Sequence, residues 1–282
     1  MNDTAYQTAY QIRRIIIEQS KRAHVGHIGS ALSVTDIIAA LYVDILHIPA
    51  PDDPERDRFL LSKGHAALAL YAMLYLKGWL TEAELNTYCG EDSLLGVHPE
   101  RELVGVDFST GSLGQGLSVS TGAALAARLQ GSARRVFTLI SDAECNEGST
   151  WEAVMVAAHH RLANLVAILD LNGQQAFGYT HQVIHIPNMA ERWRAFGWDV
   201  HEVDGHDVAA IAQTLRSLDT QQGNPHLVIA HTTFGKGVSY MESQIKWHYM
   251  PMSDAEYQQA LDEIEQLASP LTRLQVERGA IA

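Results

Sequence analysis

With 282 residues, 33 acidic against 20 basic side chains and a net charge of −13, the chain reads as an acidic globular protein large enough for one substantial α/β core. That charge disfavours nucleic acid as a partner, and any anionic small-molecule ligand would need local compensation from a divalent cation, histidines or helix N-termini. The unpaired Cys89 and Cys145, an N-terminus without a leader pattern and no apolar run near the roughly 20 residues of a membrane helix predict a cytoplasmic protein without a membrane span.

Ala9, Ile12, Ile15 and Ile16 have helical spacing. "SVTDIIAALYVDIL" reads as a second helix, with Ser33 as N-cap and Asp36 completing a capping box. "RFLLS" is a short strand, Gly64 to Leu76 a buried helix, and residues 90–110 a long loop without periodicity. "SLGQGLSVSTGAALAARLQG" predicts a helix of small residues that lets a backbone or ligand approach closely. "RVFTLIS" and "NLVAILDL" are continuous apolar runs, suited to parallel strands buried on both faces. Between them Trp151, Val154, Met155 and Ala158 define the inward stripe of a crossover helix. "DVHEVDG" and "PHLVIAHT" supply two more strands around the helix "DVAAIAQTLRSL", and the segment after Ser269 is a terminal helix or tail. The expected fold is α/β, a doubly wound parallel sheet with helices on both faces, in a single domain over residues 1–282.

Ligands collect outside the carboxyl ends of parallel strands. Asp142 follows one such strand and Asn172, thirty residues later, follows the next, so both side chains arrive at one edge of the sheet. Two hard oxygen donors suit Mg²⁺ or Ca²⁺ with a diphosphate completing the shell. Taken singly, Asp142 could equally cap the following helix and Asn172 could make a turn with Gly173.

The stretch "SDAECNEGSTWEAVMVAAHHRLANLVAILDLNGQQ" resembles the thiamine-diphosphate signature of transketolases. "VGHIGSALSVTDIIAALY", "DRFLLSKGHAALALYAML", "GVHPE", "DFSTGSLGQGLSVSTGAALA" and "FGKGVSYMESQIKWH" are similar to further blocks of that family, in family order and over nearly the whole chain. The resemblance implies that Asp142 and Asn172 hold Mg²⁺ with the backbone carbonyl of Gln174. It places Ala143 N–H and His65 near the diphosphate, and Gly111 and Leu113 along the bend of the cofactor. His27, His98 and His248 would contact the donor sugar and move protons at its carbonyl, a task suited to imidazole. Glu147 matches a catalytic-network carboxylate at the subunit interface.

One departure is Ser141-Asp142-Ala143 in place of the family's Gly-Asp-Gly, which would strain the backbone if Ala143 needed positive φ. Glu144 reads as a solvated residue or a cap, and His159, His160 and His181 as surface residues. His24 and Lys236 stay open between site and surface. The family's pyrimidine-binding and C-terminal domains, with the glutamate that activates the cofactor, have no counterpart here. The expectation is therefore one half of a split transketolase, acting on sugar phosphates with a C-terminal subunit in an assembly of two copies of each chain. The alternatives are a component of another thiamine-diphosphate enzyme, such as a deoxyxylulose-phosphate synthase or a dehydrogenase, and a catalytically silent interaction or regulatory subunit.

Overall fold

The computed structural model describes residues 3–279, with side chains described for residues 4–267. The N-terminal half carries α1 (Asp3–Ala23), α2 (Ile28–Ser33), α3 (Thr35–Ala40) and a wide turn of helix at Leu41–Ile45, then β1 (Arg58–Leu61), α4 (Ala67–Leu76) and α5 (Glu82–Leu85). After α6 (Gly116–Leu129) come β2 (Val136–Ser141), α7 (Gly148–His159) and β3 (Leu165–Leu171), then a hairpin of β4 (Gln174–Gln175) and β5 (Gly178–Tyr179). The chain continues through α8 (Thr180–Val183), α9 (Met189–Ala195), β6 (Asp199–Asp204), α10 (Val208–Arg216), β7 (His226–His231) and α11 (Asp254–Gly279).

The main sheet has the order β1-β2-β3-β7-β6, every neighbouring pair parallel. Its strands are uninterrupted apolar runs because both faces are covered. Phe137 and Leu139 point into a core with α1, α3, α4 and α10, whereas Val136 and Ile140 point into a second core with α6, α7 and α9. The α/β architecture with helices on both faces agrees with the sequence reading.

Several boundaries differ. Ser33 does not cap a helix: it ends α2 fully buried, Val34 sits at the start of α3 without a side-chain cap, and the Ser33 hydroxyl donates to Asp170 at 2.8 Å. Asp36 accordingly closes no capping box, and instead pairs with Arg13 and His206. The helix α6 begins at Gly116, since Gly114 takes a φ of 83°. The inward face of α7 is Thr150, Ala153, Val154 and Ala157, which leaves Met155 half-exposed and moves the stripe by one position. The hairpin and the short helices α5, α8 and α9 carry too few residues to show a period. The terminal helix α11 begins well before Ser269, and residues 280–282 lie outside the described part.

Because every strand of the main sheet is parallel, the segments that follow β1, β2, β3 and β7 leave the same edge. One buried carboxylate ties three of these ends to the overlying helix. Asp170, fully buried near the end of β3, accepts from Lys63 after β1, from Thr232 after β7, from Ser33 of α2 and, at 2.9 Å, from the side-chain amide of Asn172. Lys63 is itself 1% exposed. Removing one partner of a buried pair leaves an uncompensated charge, so Lys63→Met should cost about 3–5 kcal/mol in urea unfolding. The double variant Lys63→Met/Asp170→Asn, which removes the stranded charge, should lose less than Lys63→Met alone.

Candidate active site

Beyond the ends of β1, β2 and β3 lies a cleft of about 250 Å³, lined in part by His27, His65, His98, His248, Asn172 and Gln174. Each histidine is set by its own stretch of backbone. His27 precedes α2 in a left-handed conformation, φ 61°, and its N–H donates to the carbonyl of His248 at 3.2 Å. Gly26 and Gly29 make that approach possible: a Cβ on Gly26 would lie 2.4 Å from the Tyr249 carbonyl oxygen, and one on Gly29 would enter the Phe234 ring. The His248 ring stacks on Phe234 and meets the rings of His27 and His65 at centroid distances of 5.1 and 5.3 Å. His98 is anchored through its carbonyl, which accepts from the Tyr71 hydroxyl at 2.9 Å.

Burial sets the protonation of this cluster. It lowers His27, lowers His65 well below the usual imidazole range with help from Lys63 and the other histidines, and lowers His248 to about 4. These three rings are neutral at physiological pH, so each has one nitrogen that donates and one that accepts.

At the end of β2, Asp142 is 1% exposed. Its carboxylate accepts from Ala143 N–H at 2.9 Å, Gly173 N–H at 3.0 Å and the Thr180 hydroxyl at 2.8 Å. Burial outweighs the Thr180 bond and, with nearby Asp170, raises the Asp142 pKa to about 6. Ala143 does not have positive φ, so the strain that alanine there would have imposed does not arise. Asn172 donates through its amide nitrogen to Asp170 and, at 3.2 Å, to Ser33, which turns its Oδ1 toward the hairpin, where Gln174 N–H donates to it at 2.9 Å.

Asp142, the Asn172 amide oxygen and a backbone carbonyl make a set of hard oxygen donors with one formal charge. Among the described residues no group of three or more His, Cys, Asp or Glu is arranged to hold a metal ion. The set therefore fits a Mg²⁺ or Ca²⁺ ion whose remaining ligands come from a bound anion and water. A cation there would also offset the cost of ionising a buried Asp142.

The cleft thus gathers His27, His65, His98, His248, Leu113, Ala143, Asn172 and Gln174. Gly111 sits outside its lining but against the His98 ring, and Asp142 lies just beneath it. Glu147 is exposed at the start of α7, away from the histidines. Glu144 is not solvated. It is fully buried and accepts from Ser62, from Gly114 N–H at 2.9 Å and from Ser141 N–H at 2.9 Å, a cap that joins the ends of β1 and β2. His159 and His181 are exposed and His160 is half-buried, all on elements that do not line the cleft. His24 is exposed and Lys236 pairs with Glu242, so neither lines it. Sequence reasoning missed Lys63, Asp170 and Gln175. The available signals were an aspartate inside the apolar run "LVAILDL" and a lysine directly after the strand "RFLL".

Residues 4–266 match the family described as transketolase, thiamine diphosphate binding domain. One of the two apulose-4-phosphate transketolase subunits of Phocaeicola vulgatus is 41% identical over 263 residues, covering 93% of this chain and 94% of that protein. The 6-deoxy-6-sulfo-D-fructose transketolase subunit SqwG of a Clostridium species is 38% identical over 90% of this chain and 94% of its own length. The crystal structure of transketolase from Campylobacter jejuni superposes with a TM-score of 0.87 at 30% identity, covering 94% of this chain but 43% of that one. This chain spans nearly the full length of the two relatives named as subunits and less than half of that solved transketolase.

The lowered histidines predict a pH dependence. Between the unfolded imidazole value near 6.5 and about 4, the unfolded chain binds a proton at His248 that the folded chain refuses, so stability falls as pH falls through that window. His27 and His65 act in the same direction, and Asp142, raised to about 6, acts in the opposite one. Urea unfolding at pH 7 and pH 5 should therefore show a smaller acid-induced loss in His248→Asn than in the unsubstituted chain. Equal losses would contradict the assignment.

Proposed function

Since this chain belongs to the transketolase family through its thiamine-diphosphate-binding domain, we propose that it is the diphosphate-binding subunit of a two-chain transketolase. The reaction is transfer of a two-carbon ketol unit from a ketose, in phosphorylated form, to an aldose acceptor. The observation that carries this reading is the convergence of four histidines and one oxygen-donor set on a single cleft at the carboxyl edge of the sheet. A diphosphate-binding edge alone would serve many thiamine enzymes. The neutral imidazoles add what a sugar substrate needs.

In this reading Asp142, the Asn172 amide oxygen and the Gln174 carbonyl hold Mg²⁺, which neutralises the diphosphate of thiamine diphosphate on a chain with net charge −13. His65 and the backbone at Ala143 face the diphosphate, while Gly111 and Leu113 bound the bend of the cofactor. When bound, thiamine diphosphate supplies the electron sink for breaking and making a carbon–carbon bond beside a carbonyl. His27, His98 and His248 orient the ketose by its hydroxyls. A neutral ring can accept a proton from a hydroxyl at one step and return it at another, and burial keeps these rings neutral.

A partner chain supplies the pyrimidine-binding half, and the assembly contains two copies of each chain. This chain then forms one domain of the completed enzyme. Support comes from the relatives named as transketolase subunits that match this chain over 94% of their own length. The exposed Glu147 is free to meet the partner at the subunit boundary. No helix among the described residues is long and apolar enough to cross a membrane, and a cytoplasmic enzyme of sugar metabolism is the setting we propose.

Mixing the chain with its partner subunit, thiamine diphosphate and Mg²⁺ should produce ketol transfer that neither chain shows alone. Full activity without the partner would overturn the two-chain reading, and no cofactor binding in the mixture would favour a silent subunit. Asp142→Ala should weaken Mg²⁺-dependent cofactor binding at least tenfold by calorimetry while the circular dichroism spectrum stays unchanged. Undiminished affinity would refute Asp142 as a metal ligand.

A further inference from the structure

Gln174 and Gln175 are only 6% and 7% exposed, and both line the histidine cleft. Neither the oxygen nor the nitrogen of the Gln174 side-chain amide has a hydrogen-bond partner, and the Gln175 amide nitrogen has none either. Buried polar groups are nearly always satisfied, so each such orphan implies something that satisfies it.

The hairpin that carries them is well anchored. Gln174 pairs with Tyr179 and Gln175 with Gly178 in the β4–β5 ladder, and Gln174 N–H donates to Asn172. The Tyr179 hydroxyl donates to the Ser243 carbonyl at 3.2 Å, and the Tyr249 hydroxyl donates to the Ala176 carbonyl. The backbone is therefore held on both sides while the two amides remain without partners.

The orphans define a ligand. Gln174 offers one donor and one acceptor, Gln175 a donor, and the Nδ1 atoms of His27 and His248, in the same cleft, are also buried without partners. None of these groups carries a formal charge when the imidazoles are neutral. Lys63 reaches the cleft, but its ammonium is taken by Asp170. A phosphate or carboxylate only accepts hydrogen bonds and would leave the Gln174 oxygen unmatched. A hydroxyl both donates and accepts, and a row of hydroxyls matches the whole set.

We infer that the side-chain amides of Gln174 and Gln175 form, with His27 and His248, a subsite for the hydroxyl groups of the ketose and act as specificity-determining contacts. The inference rests on the ketol-transfer reading above and adds to it two residues. The contribution of Gln174 assigned so far is a backbone carbonyl on the metal side. Its side chain works on the other side of the same residue, on the sugar.

The test uses the full chain assembled with its partner subunit, thiamine diphosphate and Mg²⁺, and three donors: D-xylulose 5-phosphate, D-fructose 6-phosphate and unphosphorylated D-xylulose. Gln174→Leu and Gln175→Leu should each raise the donor KM roughly tenfold, the loss of one hydrogen bond, with kcat within about threefold of the parent. The KM ratio should be the same for D-xylulose and its phosphate, because the subsite is neutral. Cofactor affinity should be unchanged and Tm not lowered, since leucine removes an unsatisfied polar group. Unchanged donor KM would mean that the amides hold water only and would overturn the inference. So would a rise confined to the phosphorylated donors, or a parallel loss of cofactor affinity or Tm. If the unsubstituted assembly binds the cofactor yet transfers from none of the three ketoses, the ketol-transfer reading fails and takes the inference with it. Transfer that the substitutions leave untouched sinks the inference alone.

Discussion

A carboxylate sealed from water has to be answered from within the protein, and Asp170 is answered from four places. Lys63 reaches it from the end of β1, Thr232 from the end of β7, Ser33 from α2, and Asn172 from two residues further along its own chain. Their cost and their value come together: the desolvation of two charges is offset only while every partner stays in place. The pair therefore specifies one arrangement of the strand ends rather than merely adding stability. Because an ionised carboxylate accepts but cannot donate, it also dictates which end of the Asn172 amide faces it. The amide oxygen is left on the side where Gln174 begins, and the oxygen-donor set follows from that one orientation.

Glu144 repeats the device one strand away. It is buried, and it joins Ser62 after β1 to the backbone of Gly114 and Ser141. Burial raises its pKa against those three hydrogen bonds, as burial raises Asp142. The carboxyl edge is thus a place where the fold tolerates costly acids, while the adjoining histidines are driven neutral by the same low dielectric. A Mg²⁺-diphosphate on one side and uncharged hydroxyls on the other suit those two environments. Transketolase chemistry needs both within one cleft.

The sheet was legible because its strands are continuous apolar runs, and the spacing of Asp142 and Asn172 was legible because parallel strands deliver their ends to one edge. The resemblance of the histidine blocks to a family picked out which of fourteen histidines matter, and the cleft does contain the four it indicated. What the sequence hid was decided by tertiary contact. Ser33 looks like a cap until Asp170 claims its hydroxyl, and Glu144 looks like surface until Ser62 arrives from 82 residues away. Met155 fits a helical period but faces outward, because the sheet selects a stripe one position earlier. The side chains of Gln174 and Gln175 carry no period at all, and only their burial without partners marks them.

The central claim is that Asp170 orients Asn172 so that Asp142, Asn172 and Gln174 present three oxygens to one metal ion. A crystal structure of the chain with its partner, thiamine diphosphate and Mg²⁺ tests it most directly. The account predicts the ion at about 2.0–2.1 Å from a carboxylate oxygen of Asp142, Oδ1 of Asn172 and the carbonyl of Gln174, with the Asn172 amide nitrogen still on Asp170. A metal bound elsewhere, or an Asn172 released from Asp170 when the metal binds, would contradict it.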